Sequence, residues 1–415
     1  MVNLPKENGL DHTFDLLTEG YRFMQKRFDS FQTKVFETRL MGKKMICMVG
    51  REAVELFYDA SRFQRSGAIP KRVQKTLFGE KGIQTMDGSA HHVRKALFLS
   101  LMTKERLSYL QELTLEQWRA RTKKWTTDKS VVLFDEAEEV LCEVACLWAG
   151  VPLKESEVST RAYDLGALID ALGGVGPRYR EGRDARIRTE KWIESLIEEY
   201  RRGEIPHNGS ALEAIAKHRD ENGNLLDTHM AAVELINIIR PIVAVARFII
   251  FGMLALYQFP EEKNKIRQHG DHYLENFVQE VRRYYPFAPF LGAMAKTEFE
   301  WKGVHFKKGD TVLIDLYGTN HDPECWRNPD QFKPDRFDEE QVDLYNFVPQ
   351  GGGHVTTGHR CPGEDVTVTI MKASIFYFVN ELDYEVLQGQ DLSINMARLP
   401  TLPNSRMVIQ KQKNF

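Results

Sequence analysis

A mainly α-helical fold with small β-sheets, built as one domain across residues 1–415, is the class the sequence predicts, and three observations predict it. Apolar residues recur at helical spacing along most of the chain, while strand-like runs are short and few. No Pro/Gly/Ser-rich linker, internal repeat or low-complexity tract divides it. With 42% hydrophobic residues, a chain of 415 can bury a large core and shows no bias toward disorder.

In chain order, Met45-Ile46-Cys47-Met48-Val49 is a β-branched and sulfur-rich apolar run of strand length. Asp87-Gly88 opens a helix that continues through the apolar spacing at 96–101, and His91 and Lys95 share one face of it at i, i+4. Helical periodicity returns at 107–118, 134–148 and 192–200. Cys142 and Cys146 fall in the third of these segments among Val140, Leu141, Val144, Leu147 and Trp148, which makes both core residues. The basic stretch from Arg178-Tyr179-Arg180 to Arg188 is expected to be a solvated face. Alternation in Phe299–Trp301 and Val304–Phe306, with Lys302-Gly303 between, predicts a hairpin.

The segment 236–259 approaches the hydropathy of a membrane span, but Arg240, Pro241 and Arg247 interrupt it, and a buried helix explains it better. Met1-Val2-Asn3-Leu4-Pro5-Lys6 lacks the apolar region of a signal peptide, so a soluble, cytoplasmic protein without an integral membrane segment is expected. Five scattered cysteines with no Cys/His zinc spacing agree with a reducing compartment. A net charge of -3 gives no reason to expect a nucleic-acid partner.

The most informative stretch is Gly351-Gly352-Gly353-His354-Val355-Thr356-Thr357-Gly358-His359-Arg360-Cys361-Pro362-Gly363-Glu364, a glycine-rich loop that presents one thiol ahead of a helix. Freed backbone N–H groups and the positive helix end are expected to lower the Cys361 pKa and prepare its sulfur as a metal ligand. Upstream, Glu280 and Arg283 lie at i, i+3 and can pair, and Phe332-Lys333-Pro334-Asp335-Arg336-Phe337 stands between them and the cysteine. In that order, these pieces resemble the cytochrome P450 superfamily of haem-thiolate enzymes. The resemblance implies a triangular-prism-like fold, haem b as cofactor and Cys361 as axial ligand to its iron. It also implies a buried triad of Glu280, Arg283 and Arg336 bracing the loop, and His359 near a haem propionate. One departure is His354, where the superfamily commonly has Phe seven residues before the cysteine.

Oxygen-activating members carry an acid followed by an alcohol in the helix that crosses the distal face of the haem. Here Leu235 to Arg247 offers Arg240 and Pro241 instead. Arginine stays protonated and proline has no N–H, so neither relays protons at neutral pH. A mid-helix arginine usually snorkels or pairs with an acid such as Glu234. Beside a proline in an apolar stretch, however, it is costly without an anion, and a substrate carboxylate suits a guanidinium through two parallel hydrogen bonds.

The Arg240-Pro241 pair, the cysteine loop, Val281-Arg282-Arg283-Tyr284-Tyr285-Pro286-Phe287 and Gln84-Thr85-Met86-Asp87-Gly88 together resemble the bacterial fatty-acid peroxygenases over nearly the whole chain. What this implies is hydroxylation of long-chain fatty acids at the α or β carbon with hydrogen peroxide, with no redox partner protein and no flavin or nicotinamide cofactor. The substrate carboxylate, held by Arg240, would serve as general acid-base on the peroxide, and thiolate donation from Cys361 would favour O–O cleavage. Phe78, Leu172 and Phe287 would line the acyl pocket, and Arg65, His91 and Lys95 would lie near the propionates. Gln84 falls where glutamine accompanies hydroxylation and histidine accompanies decarboxylation to terminal alkenes. A fatty-acid decarboxylase, a reductase-dependent monooxygenase and a non-catalytic haem sensor are the competing readings.

Overall fold

The computed structural model describes residues 4–412. Its centre is the most apolar segment of the chain, which forms two helices, Thr228–Ala244 and Ala246–Gln258, rather than the single buried helix expected. The break stands at Val245, whose N–H turns to the Ile242 carbonyl at i-3 (3.1 Å) instead of reaching back a full turn to the Pro241 carbonyl, while Pro241 itself stays inside the first helix. Of the most apolar window in this region, 94% is buried inside the protein, so its hydropathy belongs to a core.

The first of these helices, hereafter the distal helix, packs against Leu133–Ala149, Val158–Asp170 and Pro177–Arg201. The second packs against Leu133–Ala149, Glu261–Tyr284 and Glu364–Asn380. Together they form the largest hydrophobic core, which includes both Cys142 and Cys146. The expected helices are present as Gly88–Ser100, Lys104–Lys123, Leu133–Ala149 and Pro177–Arg201.

Strands are a minority, as expected. A five-stranded sheet runs Val35–Leu40, Lys43–Met48, Thr311–Asp315, Phe290–Ala295, Phe63–Gln64. Only the pair Lys43–Met48 with Thr311–Asp315 is parallel, with Met45 opposite Thr311 and Met48 opposite Ile314. Side chains alternate across it: Ile46 and Met48 enter one core cluster, Met45 and Cys47 another. Burial on both faces is why this strand reads as a continuous apolar run. Phe299–Trp301 and Val304–Phe306 form the expected hairpin, and Ser130–Val132, Val408–Lys411 and Tyr384–Val386 form a third small sheet.

The basic stretch from Arg178 to Arg188 is only in part the solvated face expected: Arg180 and Arg188 are exposed, while others turn inward. Arg178 donates to the carbonyls of Leu172 and Leu399, Arg188 pairs with Asp164, and Arg186 is buried with Glu190 as partner.

Candidate active site

Cys361 stands one residue before Pro362 and two before Gly363, the N-cap of the helix Glu364–Asn380. The glycines upstream of it serve packing. Gly351 (φ +95°) and Gly353 (φ +76°) take left-handed backbone, and a Cβ on Gly352 would stand 2.7 Å from Val54. The loop therefore lies directly on the end of the helix Arg51–Phe57 and on Tyr58. The Cys361 N–H donates to the Gln350 carbonyl (3.3 Å), and the Gln350 side-chain amide stands 3.8 Å from the sulfur. That amide is fixed in turn by Thr367 (3.0 Å) and by the Arg282 guanidinium (2.9 Å).

The expected lowering of the Cys361 pKa is not found. Burial pushes the thiol up and Glu364 adds to the rise, outweighing the Gly363 N–H, Lys95 and Arg282, which favour the anion. A thiol in these surroundings is not made an anion by the loop alone and needs a further positive charge beside it.

The triad is closed and dry. Arg283 holds both oxygens of Glu280 at 2.7 and 2.9 Å, Arg336 reaches the same carboxylate at 3.1 Å, and Glu280 and Arg283 are 0% exposed. Remaining guanidinium donors go to main-chain carbonyls of Asn320, Arg327 and Gln331 and to Glu340. Asn320 passes this rigidity to the cysteine loop, since its side-chain oxygen accepts the Val348 N–H at 2.9 Å. No side-chain nitrogen or oxygen of Glu280, Arg283 or Arg336 is buried without a partner, which is what makes the set a scaffold.

On the other flank of the loop, Arg65, His91, Lys95 and His359 come together, as expected from their assignment to one group of propionates. His91 and His359 rings lie 4.1 Å apart, and His359 bonds Asp87 at 3.1 Å. Asp87 also accepts the main-chain N–H groups of Arg65 and Ser66. Lys95 donates to the carbonyls of Gly358 and Arg360 on the cysteine loop. The Arg65 guanidinium stacks over Phe57 at 4.1 Å.

Burial lowers the pKa of all four bases: Lys95 to about 8, His91 to about 3. His91 is therefore neutral, and the positive charge of the cluster sits on Arg65 and Lys95. Among the described residues neither has a carboxylate within 4 Å of its charged nitrogens, although both are buried. Two buried cations beside a sulfur ligand fit an iron porphyrin that carries two carboxylates of its own.

The distal helix supplies the opposite wall. Arg240 is 6% exposed and over the Phe78 ring, with its carbon 5.7 Å from the ring centre. The alternative pairing with Glu234 does not occur: Glu234 is taken by Arg94 and by the Ile83 N–H. Arg240 has one side-chain partner, a neutral one, donating from Nη2 to Asn237 Oδ1 at 3.2 Å, and its Nε is buried without an acceptor. Burial, then repulsion from Arg186, lowers its pKa to about 9, while the Cys361 sulfur acts in the opposite sense, so the two groups sense one another across the site. Pro241 follows, inside the helix, as expected. Gln84 stands in the turn Ile83–Thr85, with its Oε1 buried and unpaired.

Phe78, Leu172 and Phe287 are brought together in one apolar cluster with Leu77, Ile169 and Ala244, the last lying one turn after Arg240. Phe78 ends the π-helical turn Gln74–Phe78, and Phe287 stacks on Phe248 at 4.3 Å. An apolar wall with a buried guanidinium that has no carboxylate partner among the described residues suits a fatty acid: chain along the wall, carboxylate at Arg240.

Sequence reasoning missed Asn237, Gln350, Arg282 and Arg94. Glu234, Asn237 and Arg240 recur every three residues on one helix face, a signal that could have found the first. Nothing in the spacing marks Gln350.

A family model for Cytochrome P450 matches residues 188–410. Among solved structures, cytochrome P450EX alpha (CYP152N1), wild type with myristic acid, is 45% identical, with 99% of each chain covered and a TM-score of 0.95. A variant of cytochrome P450 OleT in complex with arachidonic acid is 38% identical, with 100% of each chain covered and a TM-score of 0.96. More distant is the taxane 10-beta-hydroxylase of Taxus cuspidata, 26% identical over 91% of this chain and 82% of that one.

Proposed function

This chain belongs to the cytochrome P450 superfamily and, within it, to the fatty-acid peroxygenases, and from that premise we propose that it hydroxylates long-chain fatty acids at the α or β carbon with hydrogen peroxide. The observation that carries this reading is Arg240: a buried guanidinium with no carboxylate partner among the described residues, at the end of an apolar wall and opposite the thiol. Its unmet donors call for an anion, and the wall calls for an acyl chain.

Haem b supplies the oxidising chemistry when bound, with Cys361 as its ligand and Arg65, Lys95, His91 and His359 placed to hold its carboxylates. Arg240 fixes the substrate carboxylate, which brings the α and β carbons close to the reacting centre. That carboxylate takes the place of the acid and alcohol that Arg240 and Pro241 displace, holding and returning a proton at the peroxide oxygen. The acyl wall of Phe78, Leu172 and Phe287 excludes water from the chain. Since the proton comes with the substrate, and peroxide is dioxygen already reduced by two electrons, RH + H2O2 gives ROH + H2O with no flavin, nicotinamide or redox partner required. Myristic and arachidonic acids in the relatives' sites support the substrate class.

Likeness to OleT keeps decarboxylation to terminal alkenes as a second reading. Gln84 favours hydroxylation, because a glutamine in its place cannot act as an acid. The test is product analysis after haem-loaded protein, a long-chain fatty acid and hydrogen peroxide are mixed with nothing else. Hydroxy acids modified next to the carboxylate are expected. Terminal alkene as the main product supports the second reading, and no product without a reductase contradicts the first.

A further inference from the structure

We propose that Asn237 is a positioning residue for Arg240, joining the carboxylate clamp to the acyl wall while leaving the guanidinium charge free for substrate; this rests on the reading of Arg240 given above. Asn237 is 4% exposed, with both amide hydrogens donated and its oxygen accepting one bond. Nδ2 donates to the Phe78 carbonyl at 2.9 Å and to Glu234 Oε2 at 3.2 Å, and Oδ1 accepts from Arg240 Nη2. Two acceptors on one side and a cation on the other fix the orientation of the amide without ambiguity.

Three consequences follow from this geometry. Asn237 meets one N–H of Arg240 with a neutral oxygen, so the charge is oriented but not cancelled, as it would be by a carboxylate at the same place. It also holds the main chain of Phe78, whose ring lies against Arg240, so the head group and the first carbons of the chain are registered against one frame. Finally, it separates Arg240 from Glu234, the acid one helical turn further back, which is itself engaged by Arg94.

Gly82 offers an independent handle. A Cβ there would stand 2.8 Å from the Phe78 carbonyl oxygen, 3.0 Å from Asn237 Nδ2 and 3.2 Å from Gln84 Oε1, so Gly82→Ala wedges the same hydrogen bond while leaving Asn237 in place. The backbone of Gly82 is extended (φ -64°), so alanine is not excluded by conformation.

The experiment compares haem-loaded wild type, Asn237→Ala, Asn237→Asp, Gly82→Ala and Arg240→Ala. Calorimetry gives the affinity for a C14 fatty acid, mass spectrometry the ratio of α to β product, and thermal melts the stability. Asn237→Asp places an anion on Arg240 and is expected to weaken fatty-acid binding about 10-fold or more, approaching Arg240→Ala. Asn237→Ala and Gly82→Ala are expected to shift the α to β ratio in a common direction and to raise KM more than they lower kcat. A purely structural asparagine would lower the melting temperature and leave the ratio unmoved. Wild-type affinity and product ratio in both Asn237→Ala and Gly82→Ala overturn the proposal. Wild-type affinity in Arg240→Ala overturns instead the clamp on which it rests.

Discussion

The two sides of the site differ in how their buried charges are treated. On the cysteine side, Glu280, Arg283 and Arg336 satisfy one another and the surrounding carbonyls, and Arg282 ties Glu364 to Gln350. On the distal side, Arg240 Nε and Gln84 Oε1 are buried without partners among the described residues, and the side chain that Arg240 bonds is a neutral amide. The same residue type, arginine, is therefore scaffold in one place and receptor in the other. A carboxylate partner is what separates the two roles: Arg282, Arg283 and Arg336 each have one, although Arg282 Nε is also buried without an acceptor, whereas Arg240 has none among the described residues and is stabilised by what binds there.

The largest effect that can break this contrast is on stability. Glu280→Ala strips the buried Arg283 guanidinium of its carboxylate and leaves Arg336 with Glu340 alone, and should cost about 3–5 kcal/mol, read as a lost or sharply lowered unfolding transition with poor haem retention. Arg240→Leu removes a buried cation that has no anion, so its melting temperature should equal or exceed that of wild type. A large destabilisation by Arg240→Leu would place Arg240 with the scaffold.

Catalysis should invert that order. Arg240→Ala is expected to lower kcat/KM for fatty acids by about 100-fold or more, from the loss of a two-bonded, charge-assisted contact, while the haem spectrum stays intact. Steady-state kinetics with peroxide check it.

A pH series sharpens the same contrast. Arg240 loses its proton near pH 9 in the free protein, below the ordinary arginine value. The sign follows: carboxylate binding needs the protonated guanidinium, so affinity is full below about 9 and falls as pH rises through it. For stability the depressed value means that the charge opposes folding below that pH, which is the cost a bound carboxylate relieves. Titration of fatty-acid binding from pH 7 to 10 should show the fall in wild type and none in Arg240→Leu.

The smallest effect is on product identity. Gln84→His introduces an acid-base group where an unpaired amide oxygen stands, and a modest rise in the terminal alkene fraction is expected by gas chromatography.

Much of this was legible in the residues. Cys361, the Glu280-Arg283-Arg336 set and the Arg240-Pro241 pair stand at spacings that point to their roles, and the hairpin at 299–306 follows from simple alternation. What spacing could not carry was the balance of competing effects. Burial overrides the loop and helix end at Cys361, and Arg94, 140 positions before Glu234 in sequence, takes the one nearby acid that could have paired with Arg240. The split of the distal helix at Val245 rather than at Pro241 depends on which carbonyl the next free N–H finds.

The most direct test of the central claim is to offer the haem-loaded wild type and hydrogen peroxide two ligands of equal chain length, a fatty acid and the corresponding fatty alcohol. If Arg240 works through the substrate carboxylate, the acid is bound and hydroxylated near its head group while the alcohol is left essentially unreacted. Equal turnover of the alcohol would contradict it.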